Sequence, residues 1–149
     1  AVGDRARPDR RVLTAPDGMN SGKGIMAKQV HNDVLDGALA VLRNNATKMV
    51  ACAGEPASFT AANGNQKLAE VALSASDFTI ADGILSGRRV TVAEKSNVPV
   101  TASGTADHVA LLDITGSRLL YVTTCVAQQL TAGQTVTFSS WDVEISDPA

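Results

Sequence analysis

His108 is the residue in this 149-residue sequence with the clearest capacity for chemistry. It follows Asp107 directly, and Asp113 stands five residues further on, so an imidazole and two carboxylates share one short stretch. General acid–base work needs such groups aimed into one pocket. Asp107 and His108 adjoin within a β-favouring run, however, and neighbouring strand residues point to opposite faces. The expectation is a polar histidine near a strand end, without a local dyad. The second histidine, His31, stands beside the start of a helical pattern and reads as a capping or surface residue.

The other reactive residue types give no stronger pattern. His31, Cys52, His108 and Cys125 lack the spacing of a metal site. Two cysteines are too few for a disulfide framework. Both sit in apolar, strand-like contexts, where a free cysteine behaves as a small hydrophobe. Spacing alone leaves a single bridge open; the expectation is two reduced, buried packing thiols. The G-M-N-S-G-K-G stretch at 18–24 lacks the four-residue gap of a phosphate loop and the Ser/Thr after Lys23. One Trp, one Tyr and three Phe offer no stacking platform for single strands or sugars. A net charge of −2 supplies no field toward nucleic acid. No apolar run reaches about 18 residues and no signal-peptide core opens the chain, so a soluble compartment and no membrane partner are expected. The sequence therefore predicts no catalytic residue, no cofactor and no metal, and a role outside enzymology.

The elements that would position these residues are mainly β. Asp107–Cys125 reads as a hairpin, its two apolar runs separated by Gly116 and Ser117. Both arms are apolar on both parities, which predicts a strand pair covered on both faces and central to the core. Val34, Leu35, Ala38, Leu39, Val41 and Leu42 give helical spacing over about 32–45. Asn32 and Asp33 are placed to cap its start, and Asn44–Asn45 to end it in the left-handed conformation. Thr47–Ala53 reads as a strand, 55–66 as a loop, and Lys67–Leu73 as either helix or strand. Short strands follow over Ser76–Gly83, from Gly87, and over Asn97–Ala102, where Pro99 suits an edge. The stretch after Cys125 reads as a loop turning at Ala132-Gly133. Thr135–Ile145 reads as one strand with a bulge near Ser139-Ser140, where its apolar parity changes. The predicted fold is mainly β: a β-sandwich or barrel of about six to eight short strands with one N-terminal α-helix and an extended N-terminal arm.

That arm is residues 1–25, ahead of a single β-rich domain at 26–149. Pro8, Pro16, Gly18, Gly22 and Gly24 interrupt any period, and the segment is too polar to build a core. Five cations against three carboxylates give it +2 and leave −4 on the remainder. A plain terminal tail is the alternative reading. The reading adopted is an arm ordered by a partner, with Arg5, Arg7, Arg10, Arg11, Val12 and Leu13 as its partner-binding residues.

From V-H-N-D-V-L-D at 30–36, through A-S-G-T-A-D-H-V-A-L-L-D and L-L-Y-V-T-T-C, to W-D-V-E-I-S-D-P, the sequence resembles small virion proteins encoded in the structural modules of tailed bacteriophages and prophages. The resemblance covers about residues 26–149, and Met26 stands where such a protein would start. The family carries no catalytic motif. What the resemblance implies is a capsid decoration or cement protein that binds and stabilises the major capsid shell. A tail, neck or fibre-associated subunit, host- or glycan-binding, is the second class. The implied partners are the major capsid protein or other virion subunits, in a homo-oligomer without direct nucleic-acid contact. The implied location is the virion, after synthesis in the host bacterial cytoplasm.

Overall fold

The computed structural model describes residues 28–149. Its compact body is His31–Ser146. Helix α1 spans Asn32–Asn45 and buries Leu35, Leu39 and Leu42, the stripe that its spacing dictates. His31 itself is the N-cap: its Nδ1 accepts the Asp33 N–H at 3.0 Å, the task foreseen for Asn32 and Asp33. The helix does not end in a left-handed asparagine. Ala46 leaves it in an extended conformation, its N–H bonded to the Leu42 carbonyl at 2.9 Å, and Asn45 Nδ2 donates to the Val41 carbonyl. The strand that follows begins at Lys48, so the chain must exit already extended.

Nine strands follow among the described residues, and every pair is antiparallel. They are β1 (Lys48–Cys52), β2 (Lys67–Ala72), β3 (Phe78–Asp82), β4 (Arg88–Val92) and β5 (Lys95–Pro99), then β6 (Gly104–Asp113), β7 (Arg118–Leu130), β8 (Thr135–Phe138) and β9 (Trp141–Ile145). A four-stranded sheet has the order β2-β1-β6-β7, a three-stranded sheet β9-β4-β3, and β5 pairs with β8. The mainly β class with one principal helix is as the sequence predicts. The strand number exceeds six to eight for two reasons. Lys67–Ala72 resolves as strand, and Thr135–Ile145 divides in two, with β8 and β9 in different sheets. The parity change at Ser139-Ser140 is thus a change of sheet, pinned where Ser140 Oγ donates to the Val92 carbonyl at 2.9 Å. Residues 55–66 also hold a single helical turn, α2 (Phe59–Ala62), capped by Ser58.

The β6–β7 hairpin is longer than its apolar runs. Val126–Leu130 continues β7, where a loop was expected, because Gln128, Gln129 and Leu130 pair with Ala106, Thr105 and Gly104. Cross-strand pairing here overrides weak local propensity. At the hairpin turn Ser117, at φ 54°, takes the left-handed position. Asp113 closes the turn, accepting the Gly116 N–H at 2.9 Å and two Arg118 guanidinium bonds at 3.0 and 2.8 Å.

The four-stranded sheet is buried on both faces, as the doubled parity of the hairpin predicts. Met49, Ala51 and Leu111 face the main core with Leu39, Phe78, Val90, Val92 and Phe138. Val50, Cys52, Ala110 and Leu112 face the other way, under Phe59 and Ala62 of α2. The β2 side of the sheet is covered by residues 100–102, through an Ala69–Val100 bridge and the Thr101 N–H to Leu68 carbonyl bond. The β7 side has no strand partner among the described residues.

Candidate functional site

Asp107 and His108 meet after all. His108 Nδ1 lies 2.8 Å from Asp107 Oδ1, against the expectation of opposite faces. The register explains this: between the pairs Ala106–Gln128 and His108–Thr124, β6 has one residue and β7 has three. That bulge interrupts the pleat at Asp107. Asp107 also accepts the Gly54 N–H at 2.7 Å. The His108 bond, then the Gly54 N–H, hold its carboxyl below the ordinary range. His108 pairs across the sheet with Cys52 on one side and Thr124 on the other.

The arrangement has the membership of a Cys–His–Asp set but the wrong electrostatics. Burial, then Asp107 and Cys125, push the Cys52 thiol up to about 11. Burial and Asp107 likewise raise Cys125. A nucleophilic thiol needs the opposite shift. Both cysteines are free, Cys52 buried as expected; Cys125 is exposed, a correction to the sequence reading. Cys125 lies in a stretch of the edge strand β7, residues 124–129, that is exposed throughout. No group of three or more His, Cys, Asp or Glu residues among the described ones can hold a metal ion.

Beside that bulge, β7 and the β8–β9 segment enclose a groove of about 460 Å³. Its lining includes the small side chains of Ala51, Ala106 and Val109. Thr124, Cys125 and Gln128 come to it from β7, and Phe138, Trp141 and Asp142 from the other side. Val126, also in the lining, is 92% exposed. Trp141 stacks on Tyr121, ring centroids 5.9 Å apart at 25°, and its indole N–H is buried without a hydrogen-bond partner among the described residues. Asp142 is neutralised where it stands: Thr91 Oγ1 donates at 2.6 Å and Arg89 Nη1 at 3.0 Å. The Thr91 bond, then Arg89, outweigh burial and hold its carboxyl low.

A second feature lies at the turn between β3 and β4. Ile84 is 71% and Leu85 95% exposed, yet the turn carrying them is tightly held. The Gly83 N–H bonds to the Gly87 carbonyl at 2.9 Å, and the Ile84 N–H to Glu144 Oε2 at 2.6 Å. Arg89 Nε donates to the Asp82 carbonyl, and Arg88 joins Asp82 to Asp36 of α1. Gly87 has φ +70°, and a Cβ there would stand 1.9 Å from the Ile145 carbonyl oxygen. A rigid scaffold thus presents two branched apolar side chains to solvent. The D-G-I-L-S-G sequence carried the signal, apolar residues between turn formers, without showing that the turn stands clear of the body.

The six arm residues singled out from the sequence, Arg5, Arg7, Arg10, Arg11, Val12 and Leu13, lie outside the described residues. Neither His31 nor Arg88 belongs to a chemical site: one caps a helix and the other docks it. No family model, curated protein or solved structure matches the chain.

Proposed function

We propose that this chain is an accessory structural subunit of a tailed-bacteriophage particle, a decoration or cement protein that binds the major capsid shell. The observation that carries this reading is the rigid Ile84–Leu85 tip on a doubly packed antiparallel body, a device for surface contact. The thiol–imidazole–carboxylate cluster favours neutral thiols, so it lends no support to nucleophilic chemistry. The resemblance of residues 26–149 to virion proteins supplies the partner class. In this reading the arm at 1–25 reaches a neighbouring subunit and adds avidity.

The test is copy number per particle, together with the fate of particles lacking the protein. Decoration requires hundreds of copies, and shells that assemble without it but release DNA sooner on heating or chelation. Deleting residues 1–25 should leave the body folded and weaken attachment. A dozen copies or fewer would move the chain to the neck, tail or fibre.

A further inference from the structure

We infer that copies of this chain associate by seating the Ile84–Leu85 tip of one molecule in the β7–β9 groove of the next. Tip and groove lie at opposite ends of one short strand. Glu144 of β9 holds the tip, while Trp141 and Asp142 of β9 line the groove. Because the tip is fixed to its own scaffold by the Gly83, Ile84, Arg88 and Arg89 bonds, it cannot fold back to fill that groove. A second molecule can.

The two surfaces match in size and in charge. An apolar cavity of about 150 Å³ takes a group the size of benzene. A groove of about 460 Å³ over Ala51, Ala106 and Val109 has room for two branched side chains, with Val126 exposed at its edge to extend the apolar contact. Two carboxylates beside the contact already have a cation, Asp142 with Arg89 and Asp82 with Arg88, and Glu144 accepts the Ile84 N–H of the tip. Seating the tip therefore leaves Asp142 and Asp82 paired, and it keeps Glu144 on the Ile84 N–H; a charge buried without a partner is what makes such contacts costly. A membrane surface would select cationic and aromatic flanks instead; the tip is flanked by the acids Asp82 and Glu144 as well as by Arg88. The turn is also ordered before contact, so little freedom is lost on docking. This contact is smaller than a standard interface, so free copies should associate weakly and tighten when a shared surface holds them side by side.

The single tryptophan of the chain reports directly, because it lines the groove. Sedimentation and Trp141 emission should both change with concentration between micromolar and millimolar protein. Leu85→Asp, on the tip, and Val126→Asp, at the groove, should each weaken association by roughly tenfold or more. Both positions are exposed, so the thermal midpoints should match the parent. An equimolar mixture of the two variants should regain association, since the first keeps its groove and the second its tip. A parent that stays monomeric throughout, variants that associate like the parent, or a mixture no better than its components would each overturn the inference. Shell attachment is read separately by copy number, so either reading can fail alone.

Discussion

Asp107 sets the chemistry of its neighbourhood more than either cysteine does. Its carboxylate is held ionised by His108 and the Gly54 N–H, and it disfavours a thiolate at both Cys52 and Cys125. One equivalent of a thiol reagent should therefore label native protein slowly, at exposed Cys125. The second should appear only on unfolding, at Cys52. Two fast equivalents at neutral pH would contradict the burial of Cys52. The same residue gives an alkaline signature. Folding raises its pKa from the ordinary 9.0 to about 11, so its contribution to stability is complete below pH 9 and is lost as pH climbs toward 11. Thermal midpoints measured across that window should fall, and Cys52→Ala should flatten this limb.

Helix α1 and the β3–β4 turn test two kinds of constraint at the level of the element. Leu39 is 1% exposed where α1 meets the main core. Leu39→Ala should cost about 2–5 kcal/mol in chemical denaturation, combining lost transfer energy with the cavity left behind. Leu39→Asp should leave the domain unfolded by circular dichroism, since a carboxylate would lie unpaired in the core. The turn is governed by backbone geometry instead. Gly87→Ala adds a methyl group beside the Ile145 carbonyl at a positive φ, and should cost more than about 1 kcal/mol. It should also disturb how Ile84 and Leu85 are presented. A Gly87→Ala protein as stable as the parent would mean that the tip is less constrained than its contacts require.

Among the described residues, several carboxylates spread over the molecule are held ionised by local partners. Lys67 and Lys48 lower Glu70, while at Asp77 burial is outweighed by Lys95 and the Ser74 N–H. The Gly116 N–H and Arg118 lower Asp113; Thr91 and Arg89 lower Asp142. Each such group has a folded pKa below its unfolded one. Its stabilisation is therefore present above the unfolded value, about 4, and is lost as pH falls through the folded value. Stability should drop below about pH 4. Because many of these contacts are partly exposed, the acid limb should respond to salt. An acid-stable protein with an unchanged midpoint at pH 3 would contradict the ion-pair assignments.

The sequence by itself determined whatever depends on neighbours a few residues away. The spacing of Leu35, Leu39 and Leu42 dictates α1, and the doubled parity of Val109–Leu112 dictates a strand buried on both faces. Gly116 and Ser117 mark the turn, and alternation marks β3 and β4. Tertiary structure decided what depends on partners distant along the chain. Only pairing with Gly104–Ala106 holds Gln128–Leu130 as strand, and only the choice of two sheets divides Thr135–Ile145 at Ser139-Ser140. The extra β7 residues opposite Asp107 interrupt the pleat where Asp107 meets His108, and the edge position of β7 leaves Cys125 exposed. Cys125 and Val126 of that bulge lie, with other β7 residues, along one wall of the groove, whose other wall comes from β8 and β9. A bulge is a mismatch of lengths between two strands, so neither strand alone carries the information that it exists.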